Sequence, residues 1–149
     1  MPIWDRLNDR TPLLASYGRR RGRKLRATKQ HLMDALLPRL LIALPAKQGE
    51  RLEVLEQAKA YRALALEIGF GAGEHLAMQA RLYPDTLFLA CEPYINGIGD
   101  LLKAIDKENL SNIRIHPGDV RELLLHMPDA ALEKVFILFP DPWPKSRHH

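Results

Sequence analysis

The chain has 149 residues, 46% of them hydrophobic and 27% charged, with a formal net charge of +4 and one cysteine. This balance suits a single globular domain and excludes a fibrous or wholly disordered chain. Apolar stretches such as Leu40 to Ala46 and Val135 to Pro140 fall far short of the roughly 20 residues that cross a bilayer, and Asp5, Arg6, Asp9 and Arg10 break the apolar run that a secretory signal needs. A cytoplasmic protein away from membranes is expected. Cys91 has no partner for a disulfide, and its apolar surroundings read as buried packing.

Residues 1–29 carry nine Lys/Arg and two Asp, a balance of +7 that leaves −3 for residues 30–149. The densest part, Arg19-Arg20-Arg21-Gly22-Arg23-Lys24-Leu25-Arg26, contains no acid, and Gly18 and Gly22 discourage a rigid helix. Residues 1–29 are read as a basic N-terminal arm, either a binding segment for polyphosphate, since arginine offers paired planar donors, or a solvated tail. Residues 30–149 are read as one domain. Leu32, Met33, Leu36, Leu37, Leu40, Leu41 and Leu44 recur at helical spacing, interrupted near Pro38. A second helix is expected between Gln48 and Arg62. From Ala63 the pattern changes to short apolar runs separated by amphipathic segments: strands near Ala63–Ile68, Thr86–Cys91, Asn112–His116 and Lys134–Phe139, helices near Glu74–Leu82, Gly97–Lys107 and Val120–His126. Such alternation predicts an α/β fold with a parallel, doubly wound, Rossmann-like sheet that binds its ligand at the carboxyl ends of the strands.

Every chemically suggestive motif falls at such an end. Leu66-Glu67-Ile68-Gly69-Phe70-Gly71-Ala72-Gly73 is a strand running into a glycine-rich turn and a helix start, where free backbone N–H groups meet a carboxylate or phosphate. The dinucleotide fingerprint G-x-G-x-x-G needs glycine or alanine at position 74, which is Glu74, so a nicotinamide-dependent oxidoreductase is the weaker reading. A G-x-G-x-G turn after an acid looks instead like an S-adenosylmethionine site, with Glu67 balancing the ligand's ammonium. Glu92 closes the next strand nineteen residues beyond Gly73, the place of an acid that accepts both ribose hydroxyls. Asp119, in Ile115-His116-Pro117-Gly118-Asp119-Val120, is read as the acceptor of an adenine amino group, as a helix N-cap, or as both. After the fourth strand, Phe139-Pro140-Asp141-Pro142-Trp143-Pro144-Lys145 is a stiff loop with a stacking face and opposite charges at the expected reaction centre.

Glu67-Ile68-Gly69-Phe70-Gly71, the loop Phe139 to Lys145 and Arg147-His148-His149 together resemble the bacterial tRNA (guanine-N7)-methyltransferase family, and Tyr17-Gly18-Arg19-Arg20-Arg21-Gly22-Arg23 is similar to its N-terminal basic motif. The resemblance spans nearly the whole chain. It implies a Rossmann-like class I methyltransferase fold and methyl transfer from S-adenosylmethionine to guanine N7 in the tRNA variable loop. It also implies cofactor contacts from Glu67, Gly69, Gly71, Gly73, Glu92, Asp119 and Asp141, with Asp141 as the catalytic aspartate. Lys145, Arg147, His148 and His149 match its substrate-contacting positions, and Arg19, Arg20, Arg21 and Arg23 its basic arm. The family continues past the histidine pair, so this chain is expected to be its N-terminal two-thirds, with an incomplete sheet and Val135 to Phe139 as an exposed apolar edge. His148 and His149 are read as RNA-facing or solvated, since no third residue has metal-ligand spacing. A monomer without metal is expected. Two alternatives stay open at this point: an RNA-binding chain without catalysis, and a methyltransferase acting on another RNA or on protein.

Overall fold

The computed structural model describes residues 20–138. In chain order the elements are α1 (Ala27–Ala35), α2 (Leu37–Leu40), α3 (Val54–Ala58), β1 (Ala63–Ile68), α4 (Glu74–Leu82), β2 (Thr86–Cys91), α5 (Ile95–Glu108), β3 (Ile113–His116), α6 (Val120–Leu124) and β4 (Lys134–Ile137). The four strands form one parallel sheet in the order β3-β2-β1-β4.

Alternation along the strands divides the core into two layers, because successive side chains leave opposite faces of a sheet. Ala65, Phe88, Ala90, Ile113 and Ile115 point to the face covered by α1, α2, α4 and α5. Leu64, Leu66, Leu87, Leu89 and Cys91 point to the other, where Leu52, Val54, Leu55 and Leu123 pack. Both faces of β1 and β2 are covered, which explains why their sequences read as continuous apolar runs. Cys91 is buried as expected, and burial pushes its thiol pKa up, leaving it inert.

The strand and α4 positions agree with the periodicity to within two residues, whereas the segment before β1 departs from it. Helical spacing predicts packing as far as Leu44, but the helix stops at Leu40: Leu41 turns extended and bridges Ile115, and the Ile42 N–H donates to the Ile115 carbonyl at 2.9 Å. Open peptide groups on the outer edge of β3 thus take over from the helical ones, and the chain covers that edge. The helix expected between Gln48 and Arg62 shortens to Val54–Ala58. Tertiary burial of Leu52, Val54 and Leu55 dictates its length, and the Arg62 N–H is already committed to the Asp85 carbonyl at 2.8 Å as β1 begins. Helix α5 starts at Ile95, two residues before expectation, and ends at Asn109 in the left-handed conformation that asparagine tolerates. On the opposite edge, β4 pairs only with β1 among the described residues, with Val135 and Ile137 exposed. No described helix is long and apolar enough to cross a membrane.

Asn112 ties the layers together. Its buried Nδ2 donates toward the carbonyls of Ala80, Tyr83 and Thr86 at 3.0, 3.0 and 2.9 Å, closing the end of α4 onto the starts of β2 and β3. Asn112→Ala strips partners from three main-chain carbonyls and leaves a small void, so urea unfolding is expected to show a loss of about 2 kcal/mol. A midpoint unchanged from wild type would show that water replaces the amide at no cost.

Candidate active site

β1 lies at the switch point of the sheet. The chain leaves it through α4 and α5 on one face to reach β2 and β3, then returns on the other face through α6 to β4. Crevices for ligands open beyond the carboxyl ends of strands at such a reversal. Four segments converge there: the turn after β1, Glu92 after β2, the loop after β3 and the basic residues that precede α1.

The turn holds Gly69, Gly71 and Gly73 at φ of +69°, +60° and +82°, conformations that side-chain-bearing residues avoid. Its inner side is pressed against α5: a Cβ on Gly73 would lie 2.7 Å from Leu101 Cδ1, and one on Gly97 would lie 2.2 Å from the Gly71 carbonyl oxygen. Its outer side is open. A Cβ on Gly71 would meet nothing within 4 Å, and one on Gly69 only Glu92 Oε2 at 4.0 Å. The turn is thus a fixed backbone surface with room for a ligand against it.

Glu92 sits beside this surface. Its carboxylate accepts the Gly71 N–H at 3.1 Å and the Tyr94 N–H at 3.2 Å, while its own N–H donates to the His116 carbonyl at 3.2 Å. One residue therefore joins the ends of β1, β2 and β3, through its carboxylate to the first two and its main-chain N–H to the third. Glu67 follows Ala65 on the α4 face of β1 and is only 2% exposed. Its Oε1 is hydrogen-bonded to Nδ1 of His75, in the first turn of α4, and its buried Oε2 has no partner among the described residues. Burial raises the Glu67 pKa, opposed by the His75 hydrogen bond and charge. The His75 ring stands edge-on to Phe136 of β4, with centroids 5.1 Å apart.

Asp119 is the N-cap of α6. It accepts the Arg121 N–H at 2.8 Å, and Glu122 returns a bond to the Asp119 N–H at 3.3 Å, completing a capping box. The Arg121 guanidinium also grips its carboxylate, at 2.6 Å to Oδ2, and this hydrogen bonding holds the Asp119 pKa below its ordinary value. Whether as N-cap or as acceptor of an adenine amino group, Asp119 acts from a carboxylate that is ionised and already engaged.

The basic segment before α1 lies along the start of α5. The Ile95 N–H donates to the Arg20 carbonyl at 2.8 Å, Asn96 Oδ1 accepts the Gly22 N–H at 2.8 Å, and Asn96 Nδ2 donates to the Arg23 carbonyl at 2.7 Å. The fit at Gly22 is close, since a Cβ there would lie 2.2 Å from the Tyr94 hydroxyl and would displace that ring. Arg20, Arg21 and Arg23 are therefore brought beside the strand-end site, with Lys29 paired to Asp100 of α5. Asp141, Lys145, Arg147, His148, His149 and Arg19 lie outside the described residues.

Three contributors do not stand out in the sequence. Asn96 and Tyr94 carry no motif, and their role follows from the fold. His75 has a usable signal: the first turn of a helix after a glycine turn folds back over the strand end, so a histidine eight residues after a buried acid lands against it. Among the described residues no cluster of His, Cys, Asp or Glu is arranged to hold a metal ion.

Of solved structures, one titled as an antibiotic-related methyltransferase superposes with a TM-score of 0.53 at 20% identity, covering 61% of this chain and 47% of its own. A variant of 16S rRNA (adenine(1408)-N(1))-methyltransferase from Catenulisporales acidiphilia, solved with cosubstrate SAM, gives 0.51 at 18% identity over 68% of this chain and 54% of its own. These likenesses concern the fold alone, a parallel α/β sheet that the chain shares with both structures. Among curated relatives, the tRNA (guanine-N(7)-)-methyltransferase of Caulobacter vibrioides is 44% identical over 136 residues, 91% of this chain and 58% of that protein. Those of Rhodopseudomonas palustris and Rhodospirillum rubrum are 47% and 46% identical, covering 92% and 89% of this chain but 54% and 52% of their own lengths. The chain thus spans little more than half the length of these relatives. The family described as "Putative methyltransferase" matches residues 61–149, a stretch that includes β1, the glycine turn, Glu92, Asp119 and the proline-rich loop, and the chain belongs to that methyltransferase family.

Proposed function

We propose that the chain carries the cofactor site and part of the substrate site of an enzyme that moves a methyl group from S-adenosylmethionine to N7 of a guanine in the tRNA variable loop. The observation that carries the cofactor reading is the turn itself: three left-handed glycines, open on the outer side, with a carboxylate docked on Gly71 and a second, buried carboxylate oxygen left without a partner among the described residues. A buried acceptor without a donor is costly and calls for a ligand group or water. In this reading Glu67 faces the ligand's ammonium, the backbone of Gly69, Gly71 and Gly73 lies along its methionine part, and Glu92 accepts its ribose hydroxyls. Asp119 takes the adenine amino group while holding Arg121. The tRNA reading rests on the names and identity of the relatives, and a cytoplasmic monomer fits it.

The cofactor, when bound, supplies a methyl group on a positively charged sulfur. Guanine N7 already carries an in-plane lone pair, so no base need remove a proton. Held by Glu67, the turn of Gly69, Gly71 and Gly73, Glu92 and Asp119, the cofactor would give its methyl group to that lone pair, keep the electron pair of the S–C bond on sulfur and leave the positive charge on the purine. What the protein supplies is alignment and a compensating charge. Asp141, between two prolines after β4, is assigned both, with Lys145, Arg147, His148 and His149 on the RNA and Arg19, Arg20, Arg21 and Arg23 on its phosphates.

Titration of Glu92→Ala with S-adenosylhomocysteine is expected to show affinity about 10- to 150-fold weaker, equivalent to about 1.5–3 kcal/mol for a charged hydrogen-bonding partner. Equal affinity in calorimetry removes Glu92 from the site. For tRNA, replacing Arg20, Arg21 and Arg23 by alanine should flatten the slope of log affinity against log salt by roughly 0.7 to 0.9 for each phosphate that is no longer neutralised. An unchanged slope makes the segment a structural strap only. In a chain extended to the length of the relatives, Asp141→Ala is expected to leave stability intact and to depress single-turnover formation of 7-methylguanosine. A large loss with Asp141→Asn as well points to charge compensation rather than orientation. Wild-type turnover by Asp141→Ala refutes the assignment, and absence of methylated guanosine from wild-type reactions with tRNA refutes the substrate.

A further inference from the structure

The hydrogen bond between Glu67 and His75 is buried on the carboxylate side and has a geometry that strand packing alone does not require. Glu67 is enclosed between Ala90 of β2 and Phe136 of β4, its register partners on either side, neither of which is ionisable. Glu92, at the end of β2, is turned to the amides of Gly71 and Tyr94. Among the described residues, His75 from α4 supplies the hydrogen bond and the charge that act on the Glu67 carboxyl. The imidazole is itself held from a third side by the edge-on contact with Phe136. The result is a carboxylate with one oxygen pinned and the other, Oε2, buried and unpartnered among the described residues, two positions before Gly69.

We propose that His75 is a positioning residue of the cofactor site: by binding Oε1 it fixes the Glu67 carboxylate in its ionised form and leaves Oε2 for the ammonium of the ligand's amino-acid part. This rests on the S-adenosylmethionine reading above. An isolated carboxyl in such a place takes up a proton, since burial disfavours its charge, and a neutral carboxyl attracts an ammonium far less. The division of labour therefore gives His75 control of the ligand through a residue it touches, without touching the ligand.

The sign of the pH effect follows. Affinity for an ammonium-bearing ligand is present above the Glu67 pKa and is lost as pH falls through it. Burial already raises that pKa and His75 opposes the rise. Removing the imidazole lets the pKa climb further, so the loss of affinity moves to higher pH.

The test compares wild type with His75→Phe, which keeps an aromatic ring against Phe136, and His75→Gln, which keeps a donor. Carbon-13 carboxyl NMR of the free chain follows the protonation of Glu67, identified with Glu67→Gln. Calorimetry from about pH 4 to about pH 8 follows S-adenosylhomocysteine, which carries the ammonium, and methylthioadenosine, which lacks the whole amino-acid part. His75→Phe is expected to raise the Glu67 midpoint by about one pH unit or more. It should weaken S-adenosylhomocysteine about tenfold at the pH where Glu67 is neutral in the variant and ionised in wild type, with recovery as the pH rises above the variant's midpoint. Methylthioadenosine binding should not change, and His75→Gln should lie between. A Glu67 titration unaffected by His75→Phe overturns the proposal, as does a loss of affinity that is the same at every pH or the same for both ligands, the signature of a mere packing role. If wild type binds neither ligand, the cofactor reading itself fails, and the carboxyl titration still decides whether His75 keeps Glu67 ionised.

Discussion

The approach of α5 to the turn after β1 is the contact on which the rest of the site depends. Gly97 comes so close to the Gly71 carbonyl that a single methyl group would collide with main chain, while a methyl group on Gly73 would meet the Leu101 side chain. The contact at Gly97 cannot relax by a side-chain rotation, because the opposing atoms are backbone. With the turn held from below, Glu92 engages the Gly71 N–H from the side, and the outer surface is left clear. The open cradle is therefore a consequence of close packing on its other side, as expected where a site must be rigid before a ligand arrives.

The same helix start carries the connection to the basic segment. Tyr94 donates its N–H to Glu92, Ile95 donates to the Arg20 carbonyl, and Asn96 clasps Gly22 and Arg23. Three consecutive residues thus join the face read as the cofactor site to the residues read as phosphate contacts. Long-range electrostatics alone would have needed no such attachment, since phosphate attraction works from a tether. A clasp of hydrogen bonds to main-chain groups instead fixes where the charge sits relative to the strand ends, as the proposed alignment of one base with one methyl group would require.

The charges inside the molecule are distributed by the same logic. Asp119 and Glu122 are satisfied by the helix they cap and by Arg121 and His116, and their pKa values fall accordingly. Glu67 departs from this pattern, with burial outweighing its single partner and raising its pKa. Asp119 and Glu122 are thus fully engaged within the fold, whereas Glu67 keeps one buried oxygen without a partner among the described residues.

Period-two runs with both faces apolar can be accommodated only by a sheet covered on both sides, so the sequence by itself determined the four strands, the α4 boundaries and the parallel, doubly wound class. Glycines at 69, 71 and 73 after an acid likewise marked the turn that follows β1, because a positive φ strongly favours glycine, and the spacing to that turn placed Glu92 at the end of the next strand. Beyond this, local pattern lost its authority. Leu41 and Leu44 continue a helical period, yet the peptide groups of Leu41 and Ile42 are taken by the edge of β3, far away along the chain at Ile115. The segment before β1 is amphipathic over many residues but helical only from Val54 to Ala58, since the space under the sheet sets its length. Asn96 and Gly97 owe their contacts to proximity in space, not in sequence. A hydrogen bond across 74 residues between Asn96 and Gly22 leaves no periodicity to read, and only the folded chain decides which donor meets which acceptor.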